Sequence, residues 1–267
     1  MKPHRETRRR TLARSCAALL LFILAADTRA NAGDPPAMQV VIIGDSIMRS
    51  ISHSLKRELA GHAGVKADSF TFMRPGLSRL DLFDWLAVIE KISKEKKPDI
   101  AVVMFGAGGR QPIHISTGAA GIADLGEGVE ADPLSAVSVI KTDDPEWSRE
   151  YARRVGAAMD IMIGAGVKRI FWIELPDMRE AGLQEDSLAI NMVIQGEAAA
   201  RPKVTVLSSK KILSRSPGVY SSYIYNTNGM PVEVRFSDGV NFNEKGAGML
   251  AGEIVSRIHE NRSDNAP

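Results

Sequence analysis

The sequence predicts a doubly wound α/β domain, a three-layer α/β/α sandwich with a central parallel sheet, and two patterns carry that prediction. Four apolar runs, residues 40–43, 100–105, 168–175 and 204–207, lack the polar alternation of a half-exposed strand, so each reads as a strand buried on both faces. Stretches with helical periodicity separate them. Such alternation implies right-handed crossovers and helices covering both faces of the sheet.

The first strand is an unbroken β-branched run that Gly44 ends. Ile47, Ile51, Leu55 and Leu59 then mark one face of a helix, placing Asp45 and Ser46 between the carboxyl end of a strand and the amino end of a helix. Open α/β sheets hold ligands there, and free backbone N–H groups favour negative charge; the same two residues also read as simple helix caps. Residues 66–72 read as a short strand followed by the turn Arg74-Pro75-Gly76. Residues 81–97 read as a helix with Leu82, Trp85, Leu86, Ile89 and Ile92 inward, stopped by Pro98. The strand at 100–105 ends in Gly106-Ala107-Gly108-Gly109. Residues 112–145, rich in Gly, Ala, Ser and Asp and without periodicity, read as a long loop or lid. Asp144 and Pro145 open a helix whose apolar face is Trp147, Tyr151, Val155, Met159 and Met162, and residues 183–200 form another. Residues 220–236 read as an antiparallel hairpin excursion, with Asn228-Gly229 as its tight turn. Asn243 caps a last helix with Met249, Leu250, Ile254 and Ile258 inward.

The amino terminus has a different character. Lys2, Arg5, Arg8, Arg9, Arg10 and Arg14 precede a short apolar core, and Ala30-Asn31-Ala32 offers small residues for cleavage. This is the pattern of a secretory signal peptide cut after Ala32, too short to span a membrane; a loose twin-arginine match at residues 7–12 leaves the export route open. The expected organisation is a signal at 1–32 and one domain at 33–267, periplasmic or secreted. The signal holds seven of the 34 basic and two of the 32 acidic residues, so the mature chain keeps 27 and 30, a net charge of −3. Nothing in that balance implies nucleic acid, and no second long apolar segment predicts a membrane span in the mature chain. Cys16, the only cysteine, leaves with the signal. No complete glycine-rich phosphate motif follows a strand, and His53, His62, His114 and His259 lack ligand spacing, so neither a cofactor nor a metal is expected.

Four predicted strand ends carry special turns: Gly44-Asp45-Ser46, Arg74-Pro75-Gly76, Gly106-Ala107-Gly108-Gly109 and Ser237-Asp238-Gly239-Val240-Asn241. In order and spacing these resemble the four sequence blocks of the SGNH (GDSL-like) hydrolase superfamily. The words around them, residues 76–85, 102–107 with Arg110 and Gln111, 144–147 with Tyr151, and 172–179, resemble a periplasmic branch of it. The resemblance covers nearly all of the mature chain and implies a flavodoxin-like topology. It also implies roles: Ser46 as nucleophile with Asp45 beside it, the Gly76 N–H and the residue at 108 as oxyanion donors, and Asp238 orienting a general base at 241. A serine hydroxyl attacks an ester only when a neighbour removes its proton, and the developing charge must meet donors already in place.

Two positions depart from that pattern. Gly108 stands where the oxyanion asparagine is expected, and Asn241 replaces the histidine base. An amide accepts no proton near pH 7; losing such a base costs on the order of 10⁴ to 10⁶ in rate, and losing one oxyanion donor roughly 10² to 10³. Substitutes are poorly placed: His53 lies two helical turns, about 10 Å, from Ser46, His114 lies just beyond the strand at 100–105, and Glu174 and Asp177 read as solvated loop acids. The expected protein therefore lacks ordinary esterase activity. It binds a small acyl ester, an O-acylated glycan or an envelope protein partner, the last through residues 112–145 or the hairpin. The alternative is an esterase or acetyl-transfer enzyme on cell-envelope polysaccharide, with Ser46 as nucleophile and a non-standard base.

Overall fold

The structure, a computed structural model, describes residues 37–116, 137–216 and 218–263; the expected signal peptide lies outside them. The chain runs β1 (Met38–Gly44), α1 (Ser46–Ala60), β2 (Val65–Thr71), a 3₁₀ turn (Leu77–Arg79), α2 (Trp85–Lys96) and β3 (Ile100–Met104). It continues through β4 (Ile113–Ser116), β5 (Val137–Ile140), α3 (Pro145–Gly164), β6 (Arg169–Ile173), α4 (Ala181–Ala199) and β7 (Val204–Leu207). Then follow α5 (Lys210–Leu213), β8 (Tyr223–Tyr225), β9 (Pro231–Glu233) and α6 (Glu244–Ser263).

Five strands pair in parallel in the order β2-β1-β3-β6-β7, the flavodoxin-like order. Val40, Val41, Ile42 and Ile43 are wholly buried, as is nearly all of β3, which is why neither run shows polar alternation. Each such side chain contributes about 1.5 to 3 kcal/mol by leaving water. Helix α1 packs on α6, while α2, α3 and α4 pack on one another in succession, and these two groups form the outer layers. On α3 the five residues of the expected apolar face, Trp147, Tyr151, Val155, Met159 and Met162, are all buried.

Several boundaries differ from the sequence reading for local reasons. Helix α2 starts at Trp85 because Asp84 caps it, accepting from the Ala87 N–H at 3.1 Å, while Asp81 pairs with Arg79 instead. Leu82 therefore lies outside the helix and is exposed. Residues 112–145 are not wholly loop: β4 and β5 pair antiparallel, Ile113 opposite Ile140, with both those side chains buried. Residues 117–136 lie outside the described residues. In the hairpin of β8 and β9 the turn is wider than two residues. The Asn226 carboxamide oxygen accepts from the N–H groups of Asn228 and Met230, and Gly229 alone takes a positive φ of 73°. On α6, Leu250, Ile254 and Ile258 face inward, but Met249 is exposed.

One glycine sets how the layers meet. Gly44 pairs with Met104 of β3, and a Cβ there would run into the Met104 carbonyl oxygen and the Met48 side chain of α1. The strand-to-helix turn crosses the sheet too closely for any side chain. Gly44→Ala is expected to destabilise the fold by about 3 kcal/mol, because backbone on one side and a buried helix on the other must both move. Urea denaturation measures it; a loss below about 1 kcal/mol contradicts the close packing.

Candidate functional site

The chain leaves β1 for β2 on one side and returns to β3 on the other, so the loops at the carboxyl ends of β1 and β3 diverge. That divergence is where doubly wound sheets open a crevice. A cleft of about 270 Å³ lies there, lined by the loops after β1, β2 and β3 and by α3. Asp45, Ser46, Gly76, Gly108, Gln111 and Tyr151 all reach it.

Each loop is pinned from behind. The Trp85 indole N–H donates to the Pro75 carbonyl oxygen at 2.7 Å, and the Trp147 indole N–H donates to the Gln111 carbonyl oxygen at 2.7 Å. Arg154, almost fully buried, donates through Nη1 to the carbonyl oxygens of Leu77 (3.0 Å) and Ser78 (2.9 Å). Glu150 neutralises it through a 2.8 Å bond to Nε. These contacts occupy carbonyl oxygens. Among the described residues, the N–H groups of Ser46, Gly76 and Gly108 have no intramolecular acceptor, so three backbone donors remain on loops that line the cleft.

Asp45 sits beneath them, 2% exposed. Its Oδ1 caps α1 by accepting from the Ile47 N–H at 3.1 Å, and its Oδ2 accepts from the N–H groups of Gly106 (2.7 Å) and Ala107 (3.1 Å). Both readings of this residue are thus partly realised, since it caps the helix and also ties the β1 loop to the β3 loop. Burial pushes its carboxyl up to about 6, although the three N–H donors pull the other way.

Ser46 lies at the first position of α1, half-buried, and its hydroxyl makes no hydrogen bond to any described residue. The proposed substitute bases are elsewhere. His114 stands 3.8 Å from Asp81 and does not line the cleft, and His53 is on the exposed face of α1. Glu174 and Asp177 are buried rather than solvated: Glu174 accepts from the Gln195 amide, and Asp177 accepts from Gln184, Ser214 and the Gly218 N–H. Neither lines the cleft.

The fourth block forms a turn beside α1 rather than a wall of the cleft. The Phe242 N–H donates to Ser50 Oγ at 3.3 Å, one helical turn from Ser46 on the same face. Asp238 accepts from the N–H groups of Val240 and Asn241 and, at 2.8 Å, from the Asn241 side-chain amide. Desolvation raises its pKa, and these bonds more than offset that, holding it below the usual carboxylate range. The Asn241 Oδ1 is buried without a hydrogen-bond partner among the described residues. The amide thus keeps a donor on the acid and offers its carbonyl where a base would need a nitrogen lone pair. The turn itself is gripped by Arg235, buried between the rings of Tyr220 and Phe242, which donates to the carbonyl oxygens of Gly239 (3.3 Å), Val240 (2.8 Å) and Asp177 (3.0 Å).

Two cleft residues, Gln111 and Tyr151, carry no site role in the sequence reading. A Cβ built on Gly108 would stand 2.8 Å from the Gln111 side-chain nitrogen, so that amide occupies the space beside the glycine. Tyr151 reads in sequence as part of an apolar helix face and of the words that carry the resemblance, with no role of its own, yet it lines the cleft while 2% exposed, and its hydroxyl has no partner among the described residues. Burial, with Asp45 nearby, raises its phenol above the ordinary range, so it remains a donor. The available signal was the same for both: each belongs to the words around the blocks that carry the resemblance, and Gln111 in addition follows a glycine by three residues.

Residues 39–257 match the family described as protein of unknown function DUF459. The fold is similar to the periplasmic domain of a lipopolysaccharide acetyltransferase from Salmonella ser. Paratyphi A, at 13% identity, 85% of this chain and 86% of that one, with a TM-score of 0.53. It is also similar to a member of the lipolytic G-D-S-L family from Veillonella parvula, at 14% identity, 82% and 97% coverage and a TM-score of 0.52. A candidate SGNH hydrolase from Slackia heliotrinireducens gives 13% identity, 82% and 98% coverage and a TM-score of 0.50. At such identities the likeness shows the fold, that of the SGNH hydrolases. No curated protein matches the sequence.

The Asp45 carboxyl gives a pH-dependent prediction. The folded protein holds this proton more tightly than an unfolded chain with the ordinary value of 3.8. Its contribution to stability is therefore full below about pH 4 and lost as pH rises through about 6. In Asp45→Asn nothing titrates at this position. The stability of the parent minus that of the variant should fall by up to about 3 kcal/mol between pH 4 and pH 7. Urea denaturation at pH 4, 5, 6 and 7 measures the difference; a gap that is flat or widens with pH contradicts the burial-driven shift.

Proposed function

We propose that this chain, which belongs to the DUF459 family, an SGNH-like family, is an exported envelope protein whose cleft binds an acyl ester or O-acylated glycan without hydrolysing it. The observation that carries this reading is the isolation of Ser46 Oγ. Among the described residues lining the cleft the ionisable groups are Asp45, Arg74 and Tyr151, and none is an imidazole. Asn241 replaces the histidine and binds Asp238 through a donor, leaving a carbonyl oxygen that accepts a hydrogen bond but no proton near pH 7. Backbone donors unspent at Ser46, Gly76 and Gly108 suit a carbonyl oxygen. The acetyl-transferring neighbour, described as a lipopolysaccharide acetyltransferase, supports an acylated glycan as the ligand class.

Periplasmic placement rests on the amino-terminal signal pattern, with cleavage after Ala32. No helix among the described residues is long and apolar enough to cross a membrane. An envelope protein partner, docking through residues 112–145 or the 220–236 hairpin, is the other partner class in this reading.

A second reading, an esterase or acetyl-transfer enzyme using Ser46, is favoured by one feature: Asp45 lines the cleft with a carboxyl pushed up to about 6. Against it, both Asp45 oxygens are already committed to backbone N–H donors, and removing them would uncap α1 and release the β3 loop. Turnover by that route would rise with pH through about 6 as Asp45 loses its proton.

Hydrolysis of p-nitrophenyl acetate by the purified mature chain separates the two. The parent is expected to match Ser46→Ala at every pH from 5 to 8. In Asn241→His the fourth-block turn, packed one helical turn from Ser46, should bring a base into reach and give Ser46-dependent turnover at least about 10²-fold above the parent. Ser46-dependent turnover in the parent itself, rising through pH 6, overturns the non-hydrolytic reading.

A further inference from the structure

The cleft holds an amide donor in an unexpected place. Gly108 leaves room where a longer residue would project, and Gln111, three residues on, turns its side-chain nitrogen into that room, 2.8 Å from where a Cβ of residue 108 would stand. The Gln111 main chain is fixed, because its carbonyl oxygen receives the Trp147 indole N–H. Its side-chain amide has no partner among the described residues. It lines the same cleft as the unspent N–H groups of Ser46 and Gly76 and the hydroxyl of Tyr151, which has no partner among the described residues. With the Gly108 N–H, five donors thus reach one small cleft from four different segments, and they have no acceptor among the described residues.

We propose that Gln111, reaching into the space beside Gly108, donates to the carbonyl oxygen of a neutral acyl group bound next to Ser46, with Tyr151 as a further donor. This rests on the reading of the cleft as an acyl-binding site and names the group that selects the ligand. A neutral acyl group fits better than a carboxylate. Asp45 lies directly below, its Oδ2 3.2 Å from where a Gly76 Cβ would be, and at neutral pH it is mostly ionised. A full negative charge in the cleft that Asp45 lines would be repelled by it, whereas a carbonyl oxygen presents only a partial charge. Met73 and Pro75 supply an apolar wall for the carbon side of the acyl group.

The replacement is also interchangeable in principle. Gly108 does not take a positive φ, so a side chain is sterically allowed there once the flexible tip of Gln111 withdraws. An asparagine at 108 and a glutamine at 111 would therefore compete for one volume and serve one role.

Titration of ¹⁵N-labelled mature chain with triacetin, and separately with sodium acetate, at pH 7.5 tests this. Triacetin is expected to shift the Gln111 side-chain amide and the Ser46 and Gly76 N–H signals saturably, with acetate binding at least about ten-fold more weakly. Gln111→Ala, whose lost side-chain amide has no partner among the described residues, should keep its thermal midpoint and bind triacetin about three- to ten-fold more weakly. Adding Gly108→Asn to Gln111→Ala should restore the affinity. The proposal is overturned if the Gln111 amide is unmoved, if Gln111→Ala binds as well as the parent, if the added asparagine restores nothing, or if acetate binds as tightly as triacetin. Release of acetate in the same tube, lost in Ser46→Ala, would instead remove the non-hydrolytic reading and leave the Gln111 contact standing.

Discussion

The cleft depends on one buried carboxylate accepting three backbone N–H groups. Asp45 joins the first turn of α1 to the loop after β3, two segments that the sheet topology would otherwise let separate. The cost is visible in its raised pKa, since burial removes water that three hydrogen bonds only partly replace. The bonds spent at Ile47, Gly106 and Ala107 define which N–H groups are left over. Those at Ser46, Gly76 and Gly108 stay without an acceptor among the described residues that line the cleft, and the indole and guanidinium groups behind the loops anchor them.

Much of the scaffold was legible in the residues because the signals are local. Buried strands announce themselves as uninterrupted β-branched runs, helix starts as Asp144 and Asn243, and the strand-to-helix crossing as Gly44. What was not legible depends on partners distant in sequence or on side-chain direction. β4 and β5 are only four residues each, and Val137 and Val139 are exposed, so neither carries a burial pattern until it finds the other. Asp177 reads as a loop acid, yet Gln184, Ser214 and Lys210 converge on it and draw it inside.

The site divides in the same way. Ser46, Gly76 and Gly108 were identifiable because each follows a strand of the parallel sheet, and the topology gathers strand ends by necessity. Asp238 and Asn241 come from the turn before α6, and they sit beside α1 without joining the described lining of the cleft. Gly108 and Asn241, alike as departures from a sequence pattern, differ as physical changes. At 108 an amide from three residues away stands in the vacated volume; at 241 the new side chain keeps the bond to Asp238 but carries no group able to take a proton.

Arg235 explains how such a change at 241 is compatible with an intact fold. Its guanidinium holds the turn by the main-chain oxygens of Gly239 and Val240, contacts that are blind to which side chains the turn carries. The Arg235 grip therefore does not depend on the side chain at 241: a substitution there changes what the turn presents to its surroundings while its main chain stays anchored.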